Sequence, residues 1–167
     1  NREQFESHYT VIRSKNKTLI AVPYSQEYSS QLKSAANLLN QAAQETRDAS
    51  LKEFLTKRAD AFLTNEYFES NMAWMDLNGD IEVVIGPYEV YEDKLFGYKA
   101  AFESFVTLVD KEESEKLMVL KKYLDDMERS LPIEDKHKNF ERGKRSPIVV
   151  VNEIFTAGDT KVLRRGE

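Results

Sequence analysis

The feature that most constrains the fold is a change of hydrophobic period at Asn78-Gly79. Before it, apolar residues recur every three or four positions, as on one face of a helix; after it, Ile81-Glu82-Val83-Val84-Ile85 alternates as a strand does. Helices first and strands later imply an α+β domain.

In the first half, Leu32, Ala35, Ala36, Leu39, Ala42 and Ala43 share a face, mostly alanine, that lets a partner surface approach closely. Ser50-Leu51-Lys52-Glu53 reads as a capping box opening a second helix, with Leu51, Phe54, Leu55, Ala59, Phe62 and Leu63 as its buried stripe. A third, from about Asn65 to Met75, aligns Phe68, Met72 and Met75. Residues 25–76 are therefore expected to form a helical hairpin or small bundle, packed on a small mixed β-sheet. Upstream, residues 1–24 are weakly patterned, with a short strand at Leu19–Val22 ending at Pro23.

In the second half, Gly86-Pro87 is expected to stop the first strand, and a second runs from about Ala101 to Val109. Asp110 with Glu113 caps one further long helix, 111–131, whose Leu117, Leu120, Leu124, Met127 and Leu131 repeat until Pro132. Glu134 to Arg145 is expected to be a solvated loop and Ile148 to Val151 a buried strand. Residues 80–161 thus hold strands and a helix, 162–167 a tail, and 1–167 a single domain or lobe.

Composition narrows the chemistry. A chain of 167 residues can bury roughly 70% of its unfolded surface without a disulfide or structural metal. The absence of Cys removes thiol nucleophiles, Cys-based zinc sites and iron–sulfur clusters, and His8 and His137 share no metal motif. A net charge of −5, from 24 Lys+Arg against 29 Asp+Glu, argues against nucleic acid as a partner. No apolar run approaches the ~20 residues of a membrane span. No secretory signal is visible and the first residue is Asn1, so a processed piece of a longer, cytoplasmic protein is expected.

Four places suggest chemistry. Asp76-Leu77-Asn78-Gly79-Asp80 is reminiscent of a calcium loop, but its glycine is fourth where the EF-hand needs it sixth, so a helix-to-strand turn is the reading. Lys136, His137, Lys138, Arg142, Lys144 and Arg145 form either an anion patch or a solvated loop. Glu89, Glu92 and Asp93 supply carboxylates for a paired-carboxylate hydrolase, or are chance neighbours in an acidic chain. Glu82, among four aliphatic residues, is costly to bury unless an amine or guanidinium meets it; the alternative is an alternating strand with a wet side.

The block from Ile81 to Gly97, with Ile85-Gly86, Glu89-Val90-Tyr91-Glu92-Asp93 and Phe96-Gly97, followed by Phe102-Glu103-Ser104-Phe105-Val106, resembles the dipeptidyl peptidase III family of zinc exopeptidases. The resemblance implies a two-lobed enzyme whose zinc is held by an H-E-x-x-G-H helix and a further glutamate, none of which this chain contains. It implies that this chain is part of the other lobe, inert alone, with no cofactor of its own, zinc in the missing lobe, and that lobe and a peptide or small-molecule substrate as partners. Glu82 matches a family glutamate that contacts the substrate's free amine, and Val84 stands where the family often has a substrate-contacting tyrosine. Gly86, Tyr88 and Glu89 complete the substrate-binding set, Gly86 and Pro87 aiming the strand end. The alternative is a non-catalytic peptide-binding module derived from that fold. The Pro87-Tyr88-Glu89-Val90-Tyr91 variant is similar to bacterial and plant relatives described as Nudix or zinc hydrolases, although no R-E-x-x-E-E Nudix core is present.

Overall fold

The computed structural model describes residues 2–94, 96–140 and 149–158. The chain runs α1 (Arg2–Glu6), β1 (Thr10–Lys15), β2 (Thr18–Pro23), α2 (Tyr24–Glu27), α3 (Ser29–Glu45), α4 (Ala49–Thr64), α5 (Phe68–Met75), β3 (Ile81–Glu89), β4 (Ala101–Asp110), α6 (Lys111–Lys121), α7 (Leu124–Arg129) and β5 (Val150–Gly158). A helical layer on strands, an α+β architecture, is what the change of period foretold.

The α3–α4 hairpin is the core. Leu32, Ala36, Leu39 and Ala43 of α3 are buried against Leu51, Phe54, Leu55, Ala59 and Phe62 of α4. Two expectations for α4 need correction. Leu63 is exposed, and Arg58 occupies the middle of the buried stripe with no accessible surface. The cap is Asp48 rather than Ser50: its Oδ1 accepts from Ser50 N (2.8 Å), Leu51 N (3.1 Å) and Ser50 Oγ (2.7 Å). A carboxylate two positions earlier reaches both free amides and meets the positive end of the helix dipole, while Glu53 pairs with Lys57 instead.

Phe68, Met72 and Met75 of α5 share a face as expected, but that face is exposed; α5 packs through Ser70 and Ala73. The N-terminal strand at Leu19–Val22 is present within β2, paired with β1, a strand the sequence reading did not identify. Asn16 and Lys17 both take positive φ (51° and 63°), the requirement of a tight two-residue hairpin turn.

The larger sheet is antiparallel through its described residues, order β3-β4-β5, where a mixed sheet was expected. The α6–α7 excursion leaves and returns at one end of β4, setting Val150 opposite Asp110, so β5 runs back beside β4. Gly86-Pro87 does not stop β3. This strand is at the sheet's edge, where a proline's missing N–H costs no ladder bond. Val83 and Ile85 pack against the helical core, as does Phe102 of β4, whose ring lies 5.5 Å from Tyr24 and 6.1 Å from Phe62.

Asp110 caps α6 through Glu113 N (3.0 Å), as expected. The single helix foreseen over 111–131 instead divides around Lys122 and Tyr123, with Lys122 N bonding back to Val119 O, and Met127 and Leu131 are exposed. The short buried strand expected at Ile148–Val151 overlaps a longer one, Val150–Gly158, none of whose residues is fully buried. Ile148, the 162–167 tail and the side chain of Leu120 lie outside the described residues.

Candidate functional site

Strand β3 brings the expected residues into one row, and its pairing with β4 places them. Glu82 lies opposite Thr107, Val84 opposite Phe105, and Gly86 opposite Glu103. Because strand side chains alternate, Glu82 and Val84 share the face turned away from the helical core on which Val83 and Ile85 pack. Glu82 is half-buried, and among the described residues its carboxylate has no hydrogen-bond or ion-pair partner.

Further along, the strand bulges between Pro87 and Glu89, leaving Tyr88 out of register. Gly86 has φ +153°, and a Cβ there would lie 2.7 Å from Arg58 Nη1 and 3.3 Å from the Tyr88 ring. Only glycine lets the strand, the Tyr88 ring and Arg58 meet so closely.

The Arg58 guanidinium carbon lies 5.4 Å from the ring centroids of both Phe54 and Tyr67 and 5.3 Å from that of Tyr88. Its Nη2 donates to Asn71 Oδ1 at 2.8 Å. Burial pushes the guanidinium pKa down, and the surrounding phenols of Tyr88, Tyr67 and Tyr9 act to raise it. For Tyr88 burial pushes the phenol pKa up, the charge of Arg58 pulls it back, and Glu103 pushes it up again.

The strand thus brings Gly86 and Tyr88 together around Arg58, and Glu82 and Val84 together on one face. Glu89 closes the strand opposite Ala101. Seven residues of extended chain, roughly 23 Å, separate Glu82 from Glu89, so they do not act on one atom. Arg58 was missed by sequence reasoning, although a visible signal existed: it stands four positions after Phe54 and four before Phe62, inside an apolar stripe.

The remaining candidates have structural employment. Asp93 Oδ2 accepts from the backbone N–H groups of Tyr98 (2.8 Å) and Lys99 (3.1 Å), organising the β3–β4 connection. Lys99 Nζ in turn donates to Phe5 O and Ser7 O, each at 2.7 Å, tying the N-terminal segment to that connection. Lys136 and Lys138 pair with Glu134 and Asp135, while Arg142, Lys144 and Arg145 lie outside the described residues. Asp80, from the turn weighed as a calcium loop, pairs with Lys111.

This helical hairpin on an antiparallel sheet is the fold of one part of a dipeptidyl-peptidase-III-type peptidase. Of this chain, 95% superposes on 30% of the chain of DPP III from Caldithrix abyssi, with a TM-score of 0.87 and 58% identity. The same shares match dipeptidyl-peptidase III from Corallococcus sp. strain EGB, at a TM-score of 0.82 and 43% identity. Nudix hydrolase 3 of Arabidopsis thaliana is 41% identical over 146 residues, which are 87% of this chain and 19% of that protein. The model of peptidase family M49 matches residues 2–147, and the chain belongs to that family. It spans about a fifth of the plant relative's length and under a third of the two solved chains.

Enzymes of family M49 are zinc peptidases. Among the described residues no three of His, Asp or Glu are grouped to hold a metal ion, and the sequence has no H-E-x-x-G-H. The described residues therefore do not fit the family's zinc. No helix among the described residues is long and apolar enough to cross a membrane.

Proposed function

We propose that this chain is a single lobe forming one wall of the substrate cleft of a dipeptidyl-peptidase-III-like hydrolase, with the zinc supplied by the rest of that enzyme. Glu82 receives the free amino terminus of a peptide, Val84 and Gly86 line the path beside it, and Tyr88 and Glu89 mark its far end. The observation that carries this reading is the half-buried Glu82 carboxylate, which has no partner among the described residues and lies on the sheet face opposite the core. An ammonium group supplies the charge and hydrogen bonds that such a carboxylate lacks. Alone, the lobe binds and does not cleave.

The test compares a short peptide with its N-acetylated form, titrated against the chain by NMR. The free amine is expected to bind more tightly by roughly tenfold or more, the worth of one charged hydrogen bond, and Glu82→Gln is expected to erase the difference. Equal binding of the two forms sinks the assignment. Turnover of the peptide by this chain with added zinc sinks the inertness. The second reading, a binding module without catalysis in any context, draws on Val84, which sets an aliphatic side chain opposite Phe105 where the resemblance implies a tyrosine. Activity in a longer M49 chain carrying this lobe would exclude it.

A further inference from the structure

Arg58 is a cation that the core has no need of. It is fully buried, and among the described residues no carboxylate pairs with it. Charges are seldom buried without one, because desolvation outweighs what neutral neighbours return. Its compensation is the single hydrogen bond to Asn71 and three ring faces, while Nε and Nη1 make no hydrogen bond to the protein. Two of those rings, Phe54 and Tyr67, belong to the helical bundle and would pack as well against a methionine. The third, Tyr88, reaches in from the β3 bulge, and only because residue 86 has no side chain to block it.

The arrangement has a consequence for the Tyr88 hydroxyl. The guanidinium carbon lies over the Tyr88 ring, 5.3 Å from its centroid, so Arg58 fixes where the ring sits and its charge acts on the phenol. Among the described residues the hydroxyl donates to Ile85 O at 3.5 Å, beyond the normal O–H···O range of about 2.5–3.0 Å. Glu103, across the strand pair from Gly86, acts on the phenol through its charge. Tyr88 itself is half-buried.

We infer that Arg58 is a positioning residue acting through Tyr88: it holds the phenol as an oriented hydrogen-bond donor for an acceptor on the ligand, a peptide carbonyl or carboxylate oxygen. The identity of the ligand rests on the cleft reading above; the coupling of Arg58 to Tyr88 does not. Glu82 then recognises the charged start of a peptide, and Tyr88 recognises an acceptor further along the same strand.

Two readouts test this on the intact chain. The first is the Tyr88 ring resonance in ring-labelled protein, identified by its loss in Tyr88→Phe. Arg58→Met is expected to shift it and move its titration to higher pH, and Arg58→Lys is expected to restore much of the wild-type position. The second is a cycle of peptide affinities. Tyr88→Phe and Arg58→Met are each expected to weaken binding roughly fivefold to tenfold, and the double variant no more than Tyr88→Phe alone. Losses that multiply in the double variant overturn the inference. Should Arg58→Met not fold, the neutral Arg58→Gln enters the cycle in its place. A Tyr88 that answers to Arg58 in a chain indifferent to peptide supports the positioning and overturns the cleft reading. A peptide held through Glu82, with Tyr88 indifferent to Arg58, does the reverse.

Discussion

At the scale of single residues, the contact between Asp48 and Gly79 shows how one side chain fixes a junction. Asp48 caps α4, and Gly79, in the turn before β3, lies so close that a Cβ there would fall 1.6 Å from Asp48 Oδ2. The Ser50 hydroxyl, first, and the Leu51 and Ser50 amides hold the Asp48 carboxyl below its ordinary pKa. The folded-state pKa is depressed, so this contribution is present above the ordinary carboxylate range and is lost as pH falls through and below about 4. Asp48→Ala is expected to cost about 1 kcal/mol near neutral pH. Gly79→Ala should cost a similar amount, because its methyl displaces the capping carboxylate, whereas Asp48 Cβ, at 3.7 Å, leaves room. The double variant should therefore cost little more than Asp48→Ala alone, as read by denaturant unfolding; full additivity would show that the two residues act separately.

At the scale of elements, α5 separates what a sequence pattern reports from what it does not. Phe68, Met72 and Met75 repeat at helical spacing, yet all three are exposed, and the helix approaches α4 through Ser70 and Ala73, small enough to permit close packing. Met72→Gln with Met75→Gln is accordingly expected to leave stability within about 0.5 kcal/mol, whereas Ala73→Leu should cost about 1–3 kcal/mol by overpacking. A thermal melt of the two variants distinguishes a free face from a covered one. Periodicity states which residues share a face, and for α3 it succeeded at Leu32, Ala36, Leu39 and Ala43, which had α4 to bury them, but not at Ala42, which is exposed. It gives no information about whether a neighbour covers that face. The same limit explains Arg58: an arginine in an apolar stripe is ordinarily placed at its edge, and only the rings of Phe54, Tyr67 and Tyr88 reveal the cage. Strand β3 was legible as an alternation, and Glu82 was legible as a carboxylate in aliphatic company. Its passage through Gly86-Pro87 was not, since being an edge strand is a property of the sheet and not of the segment.

At the scale of the molecule, buried tyrosines join the N-terminal segment, the helices and the sheet. Tyr24 donates from α2 to Ala100 O at 2.9 Å, just before β4, while Tyr67 lies between Arg58 and the Tyr9 ring, 4.7 Å away. Burial raises the phenol pKa of Tyr24 to about 12 and pushes those of Tyr67 and Tyr88 upward as well. A raised folded-state pKa gives stability that is complete below the unfolded value, near 10, and is lost as pH rises through the folded one. The chain should therefore unfold between about pH 10 and 12, with loss of circular dichroism accompanying the release of these phenols. Tyr67 and Tyr24 should then part company on substitution. The Tyr67 hydroxyl is buried without a hydrogen bond, so Tyr67→Phe should be neutral or stabilising near pH 7 and should move the alkaline transition upward. Tyr24→Phe removes a buried hydrogen bond and should cost about 1 kcal/mol near pH 7, even though it too removes a phenol that ionises on unfolding. A Tyr67→Phe chain less stable than wild type at neutral pH would mean that this hydroxyl is partnered and that the cage around Arg58 is tighter than its rings alone make it.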